Sequence, residues 1–274
     1  MAIDPTARIA DGARIEDSVE IGPYCIVGPQ VEIKSGARLV AHVHVTGVTT
    51  IGEGTVVYPF ASLGTPPQSV HYRGGTTRLL IGARCELRES VTMNTGTEDG
   101  GGVTRVGERC FFMVGCHVGH DCQVGDGVTF ANNVVLGGHV TVGDYTFLGG
   151  HVAIHQFVRI GESVMMAGMS ATRADIIPFG FALGHDGALV GLNIVGLRRR
   201  GVTRAEMHLL RRAYRSLFFV AGRLADRIDA VEREFGDDPL VGKIVGFIRA
   251  GGKRPLMRPR AGRKADENGD DAAQ

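Results

Sequence analysis

Between residues 117 and 156 the chain places His117, His120, His139, His151, His155 and Gln156 around Gly138. Imidazole is the side chain best suited to take a proton from an alcohol near neutral pH, which is the task of a general base. A glycine beside such a base presents a backbone amide with no side chain in front of it, as a developing oxyanion requires. A base next to a bare amide points to acyl transfer. Single histidines on an exposed face are more commonly solvated or satisfied residues, and His42, His44, His185 and His208 read that way.

What could position these groups is a repeat. From Val106 an apolar residue returns at every sixth position: Phe112, Val118, Val124, Phe130, Leu136, Val142, Leu148, Ile154, Ile160 and Met166. A period of six fits neither the 3.6 of a helix nor the 2 of a strand, so it describes a coil with recurring corners, a hexapeptide β-solenoid. Three sides of six make a coil of 18 residues, with successive coils stacked as parallel strands about 4.8 Å apart. On that spacing Gly138 lies over His120 and Gln156 over Gly138, while His139 lies over Asp121 and His155 over Gly137. Asp121 adjoins His120 and could orient it, but neighbours on a strand face opposite ways.

The same register runs from Ile3 through Ile9, Ile15, Ile21, Val27, Ile33, Leu39, Val45, Ile51 and Val57 to Leu63, and again through Ile81, Leu87 and Met93. Two polar, glycine-bearing loops interrupt it, at 65–78 and 94–105, and loops that leave a scaffold without ending it are the usual carriers of function. The 41 glycines fit a chain that turns a corner every few residues. Cys25, Cys85, Cys110, Cys116 and Cys122 each fall four places after a repeat residue, where other coils have Ala, Ser, Thr or Val, so they read as small inward-facing residues.

With 30 basic and 29 acidic residues there is no electrostatic case for nucleic acid or a membrane surface. No stretch is long and apolar enough for a membrane span, and no basic, apolar leader opens the chain, so a soluble cytoplasmic protein is expected. After about residue 172 the repeat fails and 175–200 reads as an irregular bridge. Thr203 and Glu206 then form a capping box for a helix of about 18 residues with an apolar stripe of Leu209, Leu210, Ala213, Leu217 and Val220. A second helix near 221–234 ends at Gly236, and a third starts at Asp238 and Pro239. The expected organisation is a β-helix over 1–187, a helical domain over 188–250 and a disordered charged tail over 251–274.

Specific stretches carry a resemblance beyond the repeat. They are Arg88-Glu89-Ser90-Val91-Thr92, His117-Val118-Gly119-His120-Asp121-Cys122, Ala131-Asn132-Asn133, Ala153-Ile154-His155-Gln156-Phe157 and the run from Asn193 to Gly201. With the two loops and the helical C-terminus, the chain resembles the acyl-carrier-protein:UDP-N-acetylglucosamine O-acyltransferases that begin lipid A synthesis. The resemblance implies a left-handed β-helix, against the usual right-handed crossover rule, and a homotrimer with sites between adjacent solenoids.

It further implies that His120 deprotonates the sugar 3-hydroxyl, which attacks the thioester of an (R)-3-hydroxyacyl group on acyl carrier protein, with the Gly138 amide holding the oxyanion. His117, His139, His155 and Gln156 would bind sugar and phosphate, and Asn193, Arg199 and Arg200 the nucleotide. No cofactor or metal is implied, the phosphopantetheine arriving on the donor. The acyl-chain ruler would be Gly168, with Met165, Met166 and Met169 around it.

Three positions of the acceptor-sugar region depart from the family: Ser69 and His71 stand where relatives carry Asp and Lys, and Asn94 where they carry His. Val195 replaces an acid near the nucleoside. An acceptor with a 3-amino group, giving an amide, is therefore an alternative. Others are a hexapeptide acyltransferase using coenzyme A, the later N-acyltransferase of the pathway, which would carry an extra N-terminal domain, and a non-catalytic solenoid scaffold. A three-imidazole zinc site, as in solenoids with carbonic anhydrase activity, is disfavoured because that ligand spacing is not reproduced.

Overall fold

The computed structural model describes residues 2–185 and 187–259. The chain coils into a left-handed parallel β-helix whose three faces are sheets of eleven, nine and eight strands. Register confirms the coil length: His117 pairs with Val135 and Val135 with Ala153, while Val118 pairs with Leu136 and Leu136 with Ile154. Most strands are two residues long because a corner follows at once. The repeat residue points inward, as with Val118 and Leu148 at 0% exposure, and its predecessor points out. Inside, Phe112 and Phe130 pack edge to face at 4.8 Å.

Most corners turn through a residue in the left-handed backbone region. Three ladders of these residues define the edges of the prism: Asp121, His139 and Phe157 on the first, Asn133, His151 and Met169 on the second, Tyr145 and Ser163 on the third. Backbone hydrogen bonds link each ladder upward, from His139 N to His120 O and from Phe157 N to Gly138 O at the first edge. Both loops leave at this first edge, between Ser62–Thr65 and Arg78–Ile81 and between Thr92–Asn94 and Val103–Val106. They therefore sit on the coils directly below His120.

All five cysteines are buried and free. Their slot does more than accept a small side chain. Cys122 Sγ donates to Gly137 O at 3.1 Å, and at equivalent positions Thr55 and Thr146 hydroxyls donate to Gly82 and Gly161 carbonyls. Burial pushes the Cys116 and Cys122 thiols up to about 11 and about 12, which keeps them protonated and unreactive.

The C-terminal part is more ordered than its sequence suggests. Strands Gly180–Leu183 and Ala188–Leu192 form an antiparallel hairpin that closes the eleven-stranded sheet, so the β-structure passes residue 187. Among the described residues four helices follow: α1 Ile194–Arg199, α2 Arg204–Phe218, α3 Leu224–Phe235 and α4 Pro239–Arg249. Helix α1 falls in the stretch expected to be irregular. The Thr203 and Glu206 capping box is formed, and Asp238 caps α4 through Leu240 N and Val241 N. In the stripe of α2, Leu210, Ala213 and Leu217 are buried, but Val220 lies beyond the helix end and is 55% exposed.

Residues 251–259 are not a loose tail. Bridges from Leu256 to Asp175 and from Pro259 to Leu189 strap them to the solenoid, and Met257 is 2% exposed. The rest of the expected tail, 260–274, lies outside the described residues. Arg159 joins the parts: its Nε donates to Asp175 Oδ2 at 2.7 Å and its guanidinium stacks over Phe247 of α4 at 4.3 Å. Among the described residues no helix is long and apolar enough to cross a membrane.

Candidate active site

A cleft of about 480 Å³ opens beside the first edge, lined by Gln68, Asn94, His117, His120, Gly138 and Gln156 among others. His120 Nδ1 lies 2.8 Å from Asp121 Oδ2. A carboxylate there accepts the Nδ1 proton, which leaves the Nε2 lone pair for the cleft. Alternation along a strand would have separated these neighbours. They instead sit at a corner, where the left-handed backbone of Asp121 (φ 59°) swings its carboxylate back against the imidazole.

The Asp121 side chain is fully buried, and His120 keeps 17% exposure. Burying a carboxylate is costly unless donors surround it. Here the Thr97 amide donates to Oδ1 at 2.9 Å and to Oδ2 at 3.1 Å, and the Thr97 hydroxyl to Oδ2 at 2.6 Å. Gly96 and Gly100 close around the same group: a Cβ on either would come within 2.7 and 2.2 Å of Asp121 side-chain atoms. The second loop thus wraps the carboxylate.

Gly138 lies over His120 as the coil length requires. A Cβ there would meet His120 Nε2 at 2.5 Å, so only glycine lets the ring and the backbone approach this closely. No acceptor among the described residues takes the Gly138 amide, which leaves it available to an oxyanion. His117 Nδ1 pairs with the Thr92 hydroxyl at 2.8 Å, and burial, followed by the neighbouring His120, lowers its pKa. His155 and Gln156 line the far wall.

Several expected site residues sit elsewhere. His139 does not line the cleft: it stands edge-on behind His120 at 5.0 Å, stacked on Phe157 at 4.3 Å, with its pKa lowered chiefly by burial. His151 is on the second edge beside Asn133. In the first loop it is Gln68, not Ser69 or His71, that faces the cleft, and Ser69 Oγ instead accepts from His71 N. Gln68 had no periodic signal to mark it; its adjacency to Ser69 was the available clue.

Asn94 is 3% exposed. Its Nδ2 donates to Thr65 Oγ1 and Pro66 O, and its Oδ1 is buried without a partner. Asn193 caps α1, accepting from Gly196 N and donating to Ser163 O. Arg200 stacks over Tyr145 at 4.0 Å and bonds Ser163, and Arg199 is exposed. These three belong to the third edge. Gly168 stacks on Gly150 at the second edge, and of the methionines around it Met166 points into the core and so cannot crowd it.

His120, Asp121 and His139 offer ligand atoms close enough for one cation. Asp121 already accepts from the Thr97 amide and hydroxyl and from His120.

Residues 104–138 match the bacterial transferase hexapeptide (six repeats) family, and residues 175–257 match domain 2 of UDP N-acetylglucosamine O-acyltransferase. A relative from Azorhizobium caulinodans, named acyl-(acyl-carrier-protein)–UDP-N-acetylglucosamine O-acyltransferase, is 58% identical over 97% of this chain and 98% of its own. The crystal structure of UDP-N-acetylglucosamine O-acyltransferase from Moraxella catarrhalis superposes with a TM-score of 0.91 at 36% identity, covering 94% of this chain and 100% of that one. The Campylobacter jejuni UDP-N-acetylglucosamine acyltransferase gives 0.89 at 37%, covering 94% and 100%. The chain belongs to the acyl-(acyl-carrier-protein)–UDP-N-acetylglucosamine O-acyltransferase family.

Proposed function

We propose that this protein transfers an (R)-3-hydroxyacyl chain from acyl carrier protein to the 3-position of UDP-N-acetylglucosamine, the first step of lipid A biosynthesis. The observation that carries the mechanism is the His120–Asp121 pair set against the bare Gly138 amide. His120 Nε2 takes the 3-hydroxyl proton as that oxygen bonds to the thioester carbon. The Gly138 amide holds the oxyanion. Collapse breaks the C–S bond, and the imidazolium returns its proton to the departing thiolate of the donor's phosphopantetheine, so no resident cofactor is needed. Asp121 fixes the tautomer and offsets the imidazolium charge.

His120→Ala is expected to fold normally and lose about 1000-fold in turnover; unchanged turnover would remove His120 as the base. The nucleotide groups support a homotrimer. Arg199 and Arg200 lie near the third edge and His120 on the first, so one chain does not bring them together, whereas a neighbouring solenoid can. The proposed substrates, a nucleotide sugar and an acyl carrier protein, support a cytoplasmic location for the reaction.

A second reading keeps the site and changes the acceptor. Asn94 lines the cleft where relatives carry His, and this change beside the acceptor favours a different 3-substituent. Competition between UDP-N-acetylglucosamine and its 3-amino analogue, read as ester or amide by mass spectrometry, decides it. Predominant ester product rejects the amino-sugar reading.

A further inference from the structure

We infer that Thr97, in the second loop, is a positioning residue for the reaction: it holds Asp121, and through Asp121 it holds His120 in the form that accepts a proton. This rests on the reading of His120 as the base.

Thr97 occupies the N-cap position of the short 3-10 turn Glu98–Gly100, where a threonine ordinarily turns its hydroxyl onto its own turn. It makes no such bond. Both its amide and its hydroxyl go to the Asp121 carboxylate, and the 2.6 Å hydroxyl contact falls on Oδ2, the oxygen that also takes the His120 Nδ1 proton. Three donors converge on Oδ2, the Thr97 amide and hydroxyl and His120 Nδ1, and they fix where that oxygen points. A buried carboxylate has no water to set its rotation, so its direction is set by these donors.

The surroundings agree. Gly96 and Gly100, on either side of Thr97, approach Asp121 so closely that no side chain would fit, and Thr104 Oγ1 accepts the Asp121 amide at 2.8 Å. The loop is anchored in turn to the first loop, where Glu98 Oε1 accepts from Gly75 N at 2.6 Å and Asn94 Nδ2 donates to Thr65 and Pro66. Cleft wall and base thus hang on one hydrogen-bonded network. Asn94 is among the residues lining the cleft, and Thr97, three residues on, holds the buried side of the catalytic pair.

Steady-state kinetics of Thr97→Val, Thr97→Ala and Thr97→Ser separate positioning from loop packing. Thr97→Val should lower kcat on the order of 10-fold with both KM values little changed, because the lost bond is one to a charged group that orients the base. Thr97→Ala, which cannot clash, should do the same, and Thr97→Ser should restore most of the rate. In an Asp121→Ala background Thr97→Val should cost nothing further, since its only route to His120 is gone.

A raised KM for the nucleotide sugar with kcat intact would overturn the inference and leave Thr97 a loop-packing residue. So would additive losses in the double variant, or failure of the serine to rescue. If His120→Ala retains activity, the base assignment itself fails; if His120→Ala is inactive and Thr97→Val is not slowed, this inference alone fails.

Discussion

His42 and His139 occupy equivalent left-handed corner positions on two edges of one prism, and both stack on aromatic rings. His42 lies between Tyr24 and Phe60, at 5.0 and 5.3 Å. His139 stacks on Phe157 at 4.3 Å and meets His120 edge-on. The backbone offers the same geometry in both places. What differs is what surrounds it: the first edge carries two inserted loops, a buried carboxylate and a second imidazole, while Tyr24 and Phe60 stand 59% and 64% exposed on a bare corner. The solenoid corner therefore supplies the base and the bare amide, and the insertions below it hold the buried carboxylate and line the cleft.

Gly138 and Gly150 sharpen that contrast most. Each precedes a left-handed histidine, one on the catalytic edge and one on the second edge. An alanine Cβ at 138 would meet the His120 ring at 2.5 Å, whereas at 150 its nearest neighbour is Asn132 O at 3.5 Å. Gly138→Ala should cost about 100-fold in kcat by displacing the base from the oxyanion amide, with little change in melting temperature. Gly150→Ala should cost at least tenfold less. Equal losses in a turnover assay would mean that corner glycines matter for the coil rather than for the site.

The scaffold and the stacking of the site were legible because both follow from one number. A period of 18 puts Gly138 over His120 and Gln156 over Gly138 whatever the side chains do. The pairing of Asp121 with His120 was suggested by adjacency alone and opposed by strand alternation, which fails at a corner whose backbone turns left-handed. Nor was the retreat of His139 from the cleft, which depends on its ring stacking on Phe157. Gln68 and Thr97 sit in loops where no period constrains them. At the C-terminus, Met257 is buried by a strap held through bridges to Asp175 and Leu189, contacts between distant residues that leave no local pattern. Asn193 and Arg200 were expected to serve the nucleotide, yet within the chain their side chains brace α1 and the third edge.

A smaller effect separates His117 from His44, which occupy the same strand column: His44 pairs with Ser62, Ser62 with Thr92 and Thr92 with His117. His44 is exposed, while His117 is packed into the cleft wall with its pKa lowered from 6.5 by burial and then by His120. Where the folded pKa lies below the unfolded one, the unfolded chain binds more protons in the interval between them. Above about pH 6.5 neither state is protonated and this histidine leaves stability unaffected. As pH falls through 6.5 toward the lowered folded value, stability drops, and it drops no further once both states are protonated. His117→Gln should therefore flatten part of the fall in urea midpoint between about pH 7.5 and pH 5.5. If the wild-type protein and His117→Gln lose the same stability on acidification, burial of His117 is not what couples this face of the solenoid to pH.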